Sequence, residues 1–386
     1  MVQVLVKFSE IALKGSNRSF FISRLVANIQ KSSNRYNLDV KIIKEHSRII
    51  CIYDESSKKE DIVESLSNVY GIKYFGFESI CQKNVTALKD KIIELLKGFK
   101  DKPIKTISFK TKRSDKDFEM TSPQINSSLS QITKEMGFIP DYKEYDIEIN
   151  IEVALKKIHI YAEKYEGLSG LPVGTSGKVL VLMSGGIDSP VATTEILKRG
   201  CTADFLHIHT FPNNNIALDN KIKDLVKILN KYQFKSKLFL LPYYKYDFMI
   251  QGKIPKRYDL IFFKHYIFKL AERIAKEKGY DAIISGDSLN QVASQTIENI
   301  KCTNYSIDLP ILRPLISHDK EEIINKAIKI GTFDTSLINY KDCCSLMAKN
   351  PLTQTNISKF ISEISKIEMN SILSASLNEM EEFWIK

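Results

Sequence analysis

Residues 177–200 read GKVLVLMSGGIDSPVATTEILKRG. Val179, Leu180, Val181, Leu182 and Met183 form an unbroken apolar run, as a strand buried on both faces of a parallel sheet requires. Ser184, Gly185 and Gly186 interrupt it. Ile187, Asp188 and Ser189 lead into a helix, with Pro190 suited to its first turn and Gly200 to its close. Strand, glycine turn and helix start gather backbone N–H donors and the positive end of a helix dipole round one point. That is an anion site, and phosphate is its usual guest. The bland alternative is an ordinary strand-to-helix turn capped by Ser and Asp. The joint fit of all six positions from Ser184 to Ser189 argues against it.

A Walker loop needs G-x-x-x-x-G-K-[ST]. Gly177-Lys178 fails that pattern, because Pro172 stands at the first glycine and Val179 at the hydroxyl position. The Rossmann G-x-G-x-x-G is also missing here. The S-G-G-x-D-S that is present resembles the PP-loop of ATP pyrophosphatases, which cut ATP between the α and β phosphates and adenylate a carbonyl oxygen. The resemblance implies that the loop holds pyrophosphate and that Asp188 orients Mg²⁺ or the substrate.

A chain of 386 residues suggests two or three domains. No apolar stretch reaches the length of a membrane span, and the N-terminus alternates where a signal peptide would be continuously apolar. A cytoplasmic protein is expected. The cysteines at 51, 81, 201, 302, 343 and 344 form no C-x-x-C, so a zinc or iron–sulfur centre has little support and no metal-ligating set is proposed. The net charge of +10 suits a polyanionic partner. Residues 1–170 carry 28 Lys and Arg against 23 Asp and Glu, and 171–386 carry the same, so charge alone does not say which half meets nucleic acid.

Along the chain, VQVLVKF at 2–8 alternates as a strand, and a helix over 18–31 follows the turn Gly15-Ser16-Asn17. Strands at 38–44 and 48–53 and a helix near 57–68 complete a ferredoxin-like order. Lys14, Asn17 and Arg18 lie close together beside that turn. From Tyr70 a second strand–helix lobe begins, with helices over 85–99 and 122–136 and strands near 104–109, 147–153 and 158–160. The two lobes are expected to share one sheet. Lys110, Lys112 and Arg113 at a strand end could grip phosphates, a solvated edge being the bland alternative. The Gly-rich 165–177 links to a region where strands (203–209, 236–241, 281–287, 311–315) alternate with helices (217–230, 258–277, 319–330). That alternation means a doubly wound parallel sheet. Ligands of such sheets sit beyond the strands' carboxyl ends, which collects 184–189, His207-Ile208 and Gly286-Asp287 on one rim.

Several long motifs in this order resemble the ThiI-type tRNA uridine 4-sulfurtransferases, or 4-thiouridine synthetases. They are SEIALKGSNRSFF at the start, GLSGLPVGTSGKVLVLMSGGIDSPVA at the loop, SGDSLNQVASQT at 285–296, LRPLISHDKEEII at 312–324 and GTFDTSLINYKDCC at 331–344. The resemblance implies a ferredoxin-like domain (1–56), a THUMP RNA-binding domain (57–166), a linker (167–177) and a PP-loop ATP pyrophosphatase domain (178–386). It implies ATP, Mg²⁺ and tRNA as ligands, and a link to thiamine synthesis. Carried over residue by residue, Leu182, Met183, Ser184, Gly185, Gly186, Asp188 and Ser189 belong to the nucleotide site, as do His207, Ile208, Gly286 and Gln295. Cys344 matches the sulfur-bearing catalytic cysteine; without the family match, Cys343-Cys344 would read as two buried small residues. Lys14, Asn17, Arg18, Lys110, Lys112 and Arg113 are the RNA-binding candidates.

The chain also departs from the family. Lys264-His265 replaces a usual arginine pair; Lys264 keeps a charge near the phosphates but loses the bidentate fork. Asn290 replaces a usual glycine. Family members with a rhodanese domain carry a further active cysteine, so here sulfur is expected to arrive by another route. The expected reaction is adenylation of a tRNA uridine O4 (position 8 by family), then attack on C4 by sulfur from a Cys344 persulfide loaded by a cysteine desulfurase. Resolution by Cys343 is disfavoured, since adjacent cysteines close a strained ring. A thiamine-pathway sulfur carrier and a homodimer stay open. So do two other functions: a PP-loop enzyme thiolating another RNA base or a small acyl substrate, and an RNA-binding protein with a degenerate nucleotide site.

Overall fold

The structure is a computed structural model that describes residues 1–45, 47–340, 343 and 352–386. The chain forms two compact units, Met1–Gly170 and Leu171–Lys386.

The first unit runs β1 (Val2–Phe8), α1 (Arg18–Arg35), β2 (Val40–Lys44), β3 (Ile49–Tyr53), α2 (Lys59–Ser67), β4 (Ile72–Gln82), α3 (Val85–Lys97), β5 (Thr106–Arg113), α4 (Ser122–Glu135), β6 (Ile139–Pro140), β7 (Ile147–Val153), β8 (Lys157–Tyr161) and β9 (Tyr165–Glu166). One sheet orders them β2-β3-β1-β4-β8-β7-β5-β6, with β9 also on β4. The long strand β4 is the seam. Residues 72–77 pair with β1 and residues 78–82 with β8, so both lobes do share a sheet. Each lobe buries its own core. Val4, Val6, Leu25, Ile29, Ile62 and Phe75 fill the first, and Leu88, Ile92, Phe109, Leu129 and Ile151 the second. Just after residue 57, the expected start of the second domain, α2 packs Ile62 and Leu66 into the first core, and Ser32 Oγ on α1 donates to the Ser65 carbonyl at 2.7 Å.

Across the seam, a buried charge network ties the lobes together. Glu152 on β7 accepts from Lys7 on β1 at 2.9 Å and lies 3.0 Å from the Arg48 guanidinium. Tyr161 Oη donates to Glu152 at 3.3 Å, and His159 Nδ1 lies 2.8 Å from Glu78.

The second unit runs β10 (Lys178–Leu182), α5 (Asp188–Lys198), β11 (Thr202–His209), α6 (Asn214–Leu218), α7 (Lys221–Gln233), β12 (Ser236–Pro242), α8 (Tyr244–Ile250), α9 (Asp259–Lys278), β13 (Ala282–Ile284), α10 (Ile297–Thr303), β14 (Ile311–Leu312), α11 (Lys320–Ile330), α12 (Phe333–Leu337), α13 (Ile357–Ile364), α14 (Met369–Leu377) and β15 (Glu381–Ile385). Its sheet order is β14-β13-β10-β11-β12-β15. All neighbours are parallel except β15, which pairs antiparallel with β12. The order reverses between β10 and β13. Beyond the carboxyl ends of those two strands lies the crevice where doubly wound sheets bind ligands. No helix among the described residues is long and apolar enough to cross a membrane.

Burial alone would raise the Glu152 pKa, but Lys7 and Arg48 outweigh it and hold the carboxyl below the ordinary range. Burial weighs the other way on Lys7, whose pKa it lowers, so the carboxylate shared by two cations is the stabilised member. A lowered acid pKa means stability that is complete above about pH 4.5 and is lost as pH falls through the folded-state value. Glu152→Gln should cost about 3 kcal/mol in denaturant unfolding near neutral pH, because two buried cations lose their carboxylate. The same variant should flatten the acid side of the stability profile. An unchanged midpoint and profile would show that the network does not hold the seam.

Candidate nucleotide site

The cavity at the crevice measures about 460 Å³. Residues 182–184 at the end of β10, Asp188 and Ser189 at the start of α5, and Leu206, His207 and Ile208 at the end of β11 supply one side. Ser285, Gly286 and Asp287 after β13, with Ser294 and Gln295, supply the other. From α9, Leu260, Phe263, Lys264 and Ile267 line it at the i, i+3, i+4, i+7 spacing of one helix face. Of the nucleotide-site residues read from the sequence, the cavity gathers all but Gly185 and Gly186, which line a depression beside it with Lys221 and Tyr340.

Ser189 closes the loop on itself. Its Oγ accepts from the Ser184 N–H at 3.0 Å and lies 3.1 Å from Ser184 Oγ, so the end of β10 and the first turn of α5 are locked together. The first-turn N–H groups of α5 have no carbonyl within the helix to bond. Asp188 sits at that end, its Oδ1 accepting from Lys320 at 2.7 Å and its Oδ2 from Gln291 at 3.2 Å. Gly286 presses on the same turn. A Cβ there would lie 2.9 Å from the Ser189 nitrogen and 3.0 Å from the Asp188 carbonyl carbon.

The hub of the far wall is Asp287, which the sequence placed on the rim but not among the site residues. It accepts from Lys264 (2.9 Å), Gln295 (3.1 Å), Ser285 Oγ (2.7 Å) and Arg313 Nε (3.3 Å). Burial would raise its pKa, but Lys264 and Arg313 drive it far below the usual carboxylate range. Two cations on one carboxylate leave net positive charge beside the cavity, which favours a polyphosphate. Gln295 Oε1 is buried with no hydrogen-bond partner among the described residues, an acceptor suited to a ligand N–H or O–H. Lys320, Lys221 and Arg313 carry no signal of their own in the sequence; the two lysines reach the loop from the starts of α11 and α7, and Arg313 reaches the Asp287 hub from just after β14.

The second residue of the Lys264-His265 pair does not face the cavity. A helix turns about 100° per residue. His265 Nδ1 therefore donates to the Thr303 carbonyl (3.1 Å) beside Phe360, and burial depresses its pKa to about 4. Asn290 has φ +61°, a left-handed conformation that Asn tolerates better than most side chains, which explains how it stands where the family has glycine.

For a hard cation such as Mg²⁺, the donor chemistry fits in part. The cavity offers the carboxylate of Asp188, and Mg²⁺ commonly takes one or two carboxylates plus substrate phosphates. Asp287 is already saturated by cations. Among the described residues no group of three His, Cys, Asp or Glu could hold a metal unaided.

In the first unit, Lys14 lies over the Phe21 ring at 5.0 Å and Arg18 over Phe8 at 5.4 Å, while Asn17 is exposed. The 110–113 cluster does not point one way. Lys110 and Lys112 share a strand face, Lys110 lying 3.7 Å from Glu148, whereas Arg113 turns to the opposite face. There its Nη1 reaches the carbonyls of Lys116, Phe118 and Met120 at 3.1–3.3 Å and staples a loop. Cys344 lies outside the described residues. Its neighbour Cys343 is buried, lines the cavity and donates to the Ile208 carbonyl at 3.3 Å.

Comparison with known proteins matches this architecture part by part. Residues 174–369 match the family described as thiamine biosynthesis protein (ThiI), residues 3–76 the ThiI ferredoxin-like domain, and residues 82–163 the THUMP domain. The chain is 34% identical to a probable tRNA sulfurtransferase of Alkaliphilus oremlandii (strain OhILAs), over 98% of this chain and 97% of that one. It is 37% identical to a probable tRNA sulfurtransferase of Thermoanaerobacter sp. (strain X514), over 95% of each. A crystal structure of a 4-thiouridine synthetase–RNA complex with bound ATP superposes with a TM-score of 0.87, 28% identity and full coverage of both chains.

Gly286→Ala tests the close approach at the loop. The added methyl must push the first turn of α5 away from the end of β13. Titration calorimetry should show ATP binding at least about ten-fold weaker, ~1.4 kcal/mol, in a folded chain. Unchanged affinity would mean that the loop absorbs the displacement.

Proposed function

From the premise that this chain belongs to the ThiI family, we propose that it is a tRNA sulfurtransferase. It uses ATP to activate O4 of a tRNA uridine and then puts sulfur in place of that oxygen. The observation that carries this reading is the S-G-G-x-D-S loop at the sheet's switch point, opening on a cavity whose far wall holds Lys264 on the Asp287 hub. The relatives' names and the ATP-bound synthetase complex support it.

Uridine O4 is a poor leaving group. Attack of O4 on the α-phosphorus of ATP breaks the bond to the β-phosphate, and O4 then leaves C4 as part of AMP. The loop N–H groups, Lys264 and Lys320 neutralise the departing pyrophosphate. Asp188 would hold Mg²⁺, which supplies charge neutralisation on the phosphates when bound. Leu206, Ile208 and Phe263 offer apolar surface for the adenine, and Gln295 Oε1 an acceptor for one of its N–H groups.

Sulfur comes from a persulfide on Cys344, loaded by a cysteine desulfurase. Its terminal sulfur attacks C4 and AMP leaves. A second thiol then attacks the Cys344 sulfur, releasing 4-thiouridine and leaving a disulfide, so that thiol supplies both electrons. Lys14, Asn17, Arg18, Lys110 and Lys112 are the proposed RNA contacts, and they recognise shape and exposed ends more than duplex sequence.

The test is nucleoside mass spectrometry of tRNA treated with the protein, ATP, a cysteine desulfurase, cysteine and dithiothreitol. 4-Thiouridine should form. A different thiolated base, or none, would overturn the reading. Cys344→Ser should abolish the product while ATP affinity stays within about two-fold. Full thiolation by that variant would remove Cys344 from the mechanism.

A further inference from the structure

The segment after α12 is pinned to the phosphate loop at successive points. Lys221, the first residue of α7, donates through Nζ to the carbonyls of Ser336 (2.9 Å) and Ile338 (2.7 Å). Its ammonium lies 5.3 Å from the Tyr340 ring. Tyr340 also packs on Phe211, ring centres 5.6 Å apart, and faces Gly185. A Cβ on Gly185 would be 2.9 Å from Tyr340 Cδ1 and 2.8 Å from Lys221 Cε, so only glycine lets the strap lie this close.

The tyrosine hydroxyl is held with a definite polarity. His207 Nδ1 lies 2.8 Å from the Met183 carbonyl, which can only accept, so Nδ1 carries the proton. In the neutral ring Nε2 is then the acceptor for the Tyr340 hydroxyl, whose Oη lies 2.5 Å away. The next residue of β11 repeats the anchoring, since the Ile208 carbonyl receives the Cys343 thiol. His207 and Ile208, consecutive at one strand end and both lining the nucleotide cavity, thus hold Tyr340 and Cys343, of which Cys343 also lines it.

We propose that Tyr340 is a positioning residue for sulfur transfer: with Lys221 it straps the chain that enters the cysteine pair onto the phosphate loop. The inference rests on the function proposed above and deepens it. Tyr340 is not in the cavity's lining; it meets the loop on the outer side of Gly185 and touches the cavity wall through His207 Nε2, away from Lys264 on the far wall. Its hydroxyl therefore matters to the sulfur step and little to adenylation.

Tyr340→Phe removes that hydroxyl alone. With tRNA present, ATP–pyrophosphate exchange should stay within about three-fold of wild type, with KM for ATP unchanged. Single-turnover thiolation, with desulfurase, cysteine and dithiothreitol supplied, should fall at least about ten-fold, as a misplaced reacting group predicts. ATP-induced thermal stabilisation, measured in parallel, reports that the variant is folded with its nucleotide site intact. Wild-type thiolation by the variant overturns the proposal. So does an equal fall in exchange and thiolation, which would put Tyr340 in the adenylation step. A wild-type protein that makes no thiolated base fails the functional reading itself, a result separate from either.

Discussion

The site depends on a close approach that a single methyl group would forbid. Gly286 lets the chain leaving β13 pass against the backbone of the first turn of α5. The two strands that flank the switch point, β10 and β13, are hydrogen-bonded in register through Val179–Val181 and Ala282–Ile284. Their carboxyl ends therefore reach the crevice at one level, and a side chain at 286 would press on the first turn of α5. The missing Cβ brings the donors of the S-G-G-x-D-S loop and the buried Asp287 hub to opposite sides of one cavity. Gly185 serves the outer side in the same manner, admitting Lys221 and Tyr340.

Electrostatics build on that scaffold. Burying an unpaired carboxylate would be costly, and Asp287 is buried only because Lys264 and Arg313 meet it directly. The carboxylate orients the lysine, and the surplus charge faces the place where a polyphosphate gathers negative charge. Asp188 and Lys320 repeat the pairing at the cavity mouth, where side chains are more exposed and the attraction is better screened.

What the sequence revealed follows the range of the interactions. Alternation in 147–153 and the apolar run of 179–183 are local, and they gave strands where the structure has them. The anion loop was equally legible, because its glycines, Asp188 and the helix start are contiguous. The Asp287 hub draws on residues 264, 285, 295 and 313, and no local pattern links them. The edge strand β15 was missed because EEFWI is short and mixed, and only its partner β12 gives it meaning. Period-two alternation separates Lys112 from Arg113, and the helical turn separates Lys264, the member of its pair taken for the site, from His265.

The end of β11 shows why the nucleotide and thiol parts of the site should be considered together. A parallel strand's last residues have free carbonyls and side chains aimed at the crevice, so they are natural ligand contacts. Here His207 and Ile208 also hold Tyr340 and Cys343, from a segment more than 130 residues later in the chain. The bond from His207 Nδ1–H to Met183, at the end of β10, leaves Nε2 of the neutral ring as the acceptor for the tyrosine hydroxyl. The position of β10, and with it the phosphate loop, is thereby written into the position of the chain that carries the cysteines. A displacement of the loop cannot leave that chain where it was, and on the proposed reading this gives the activated base and the attacking sulfur a common frame.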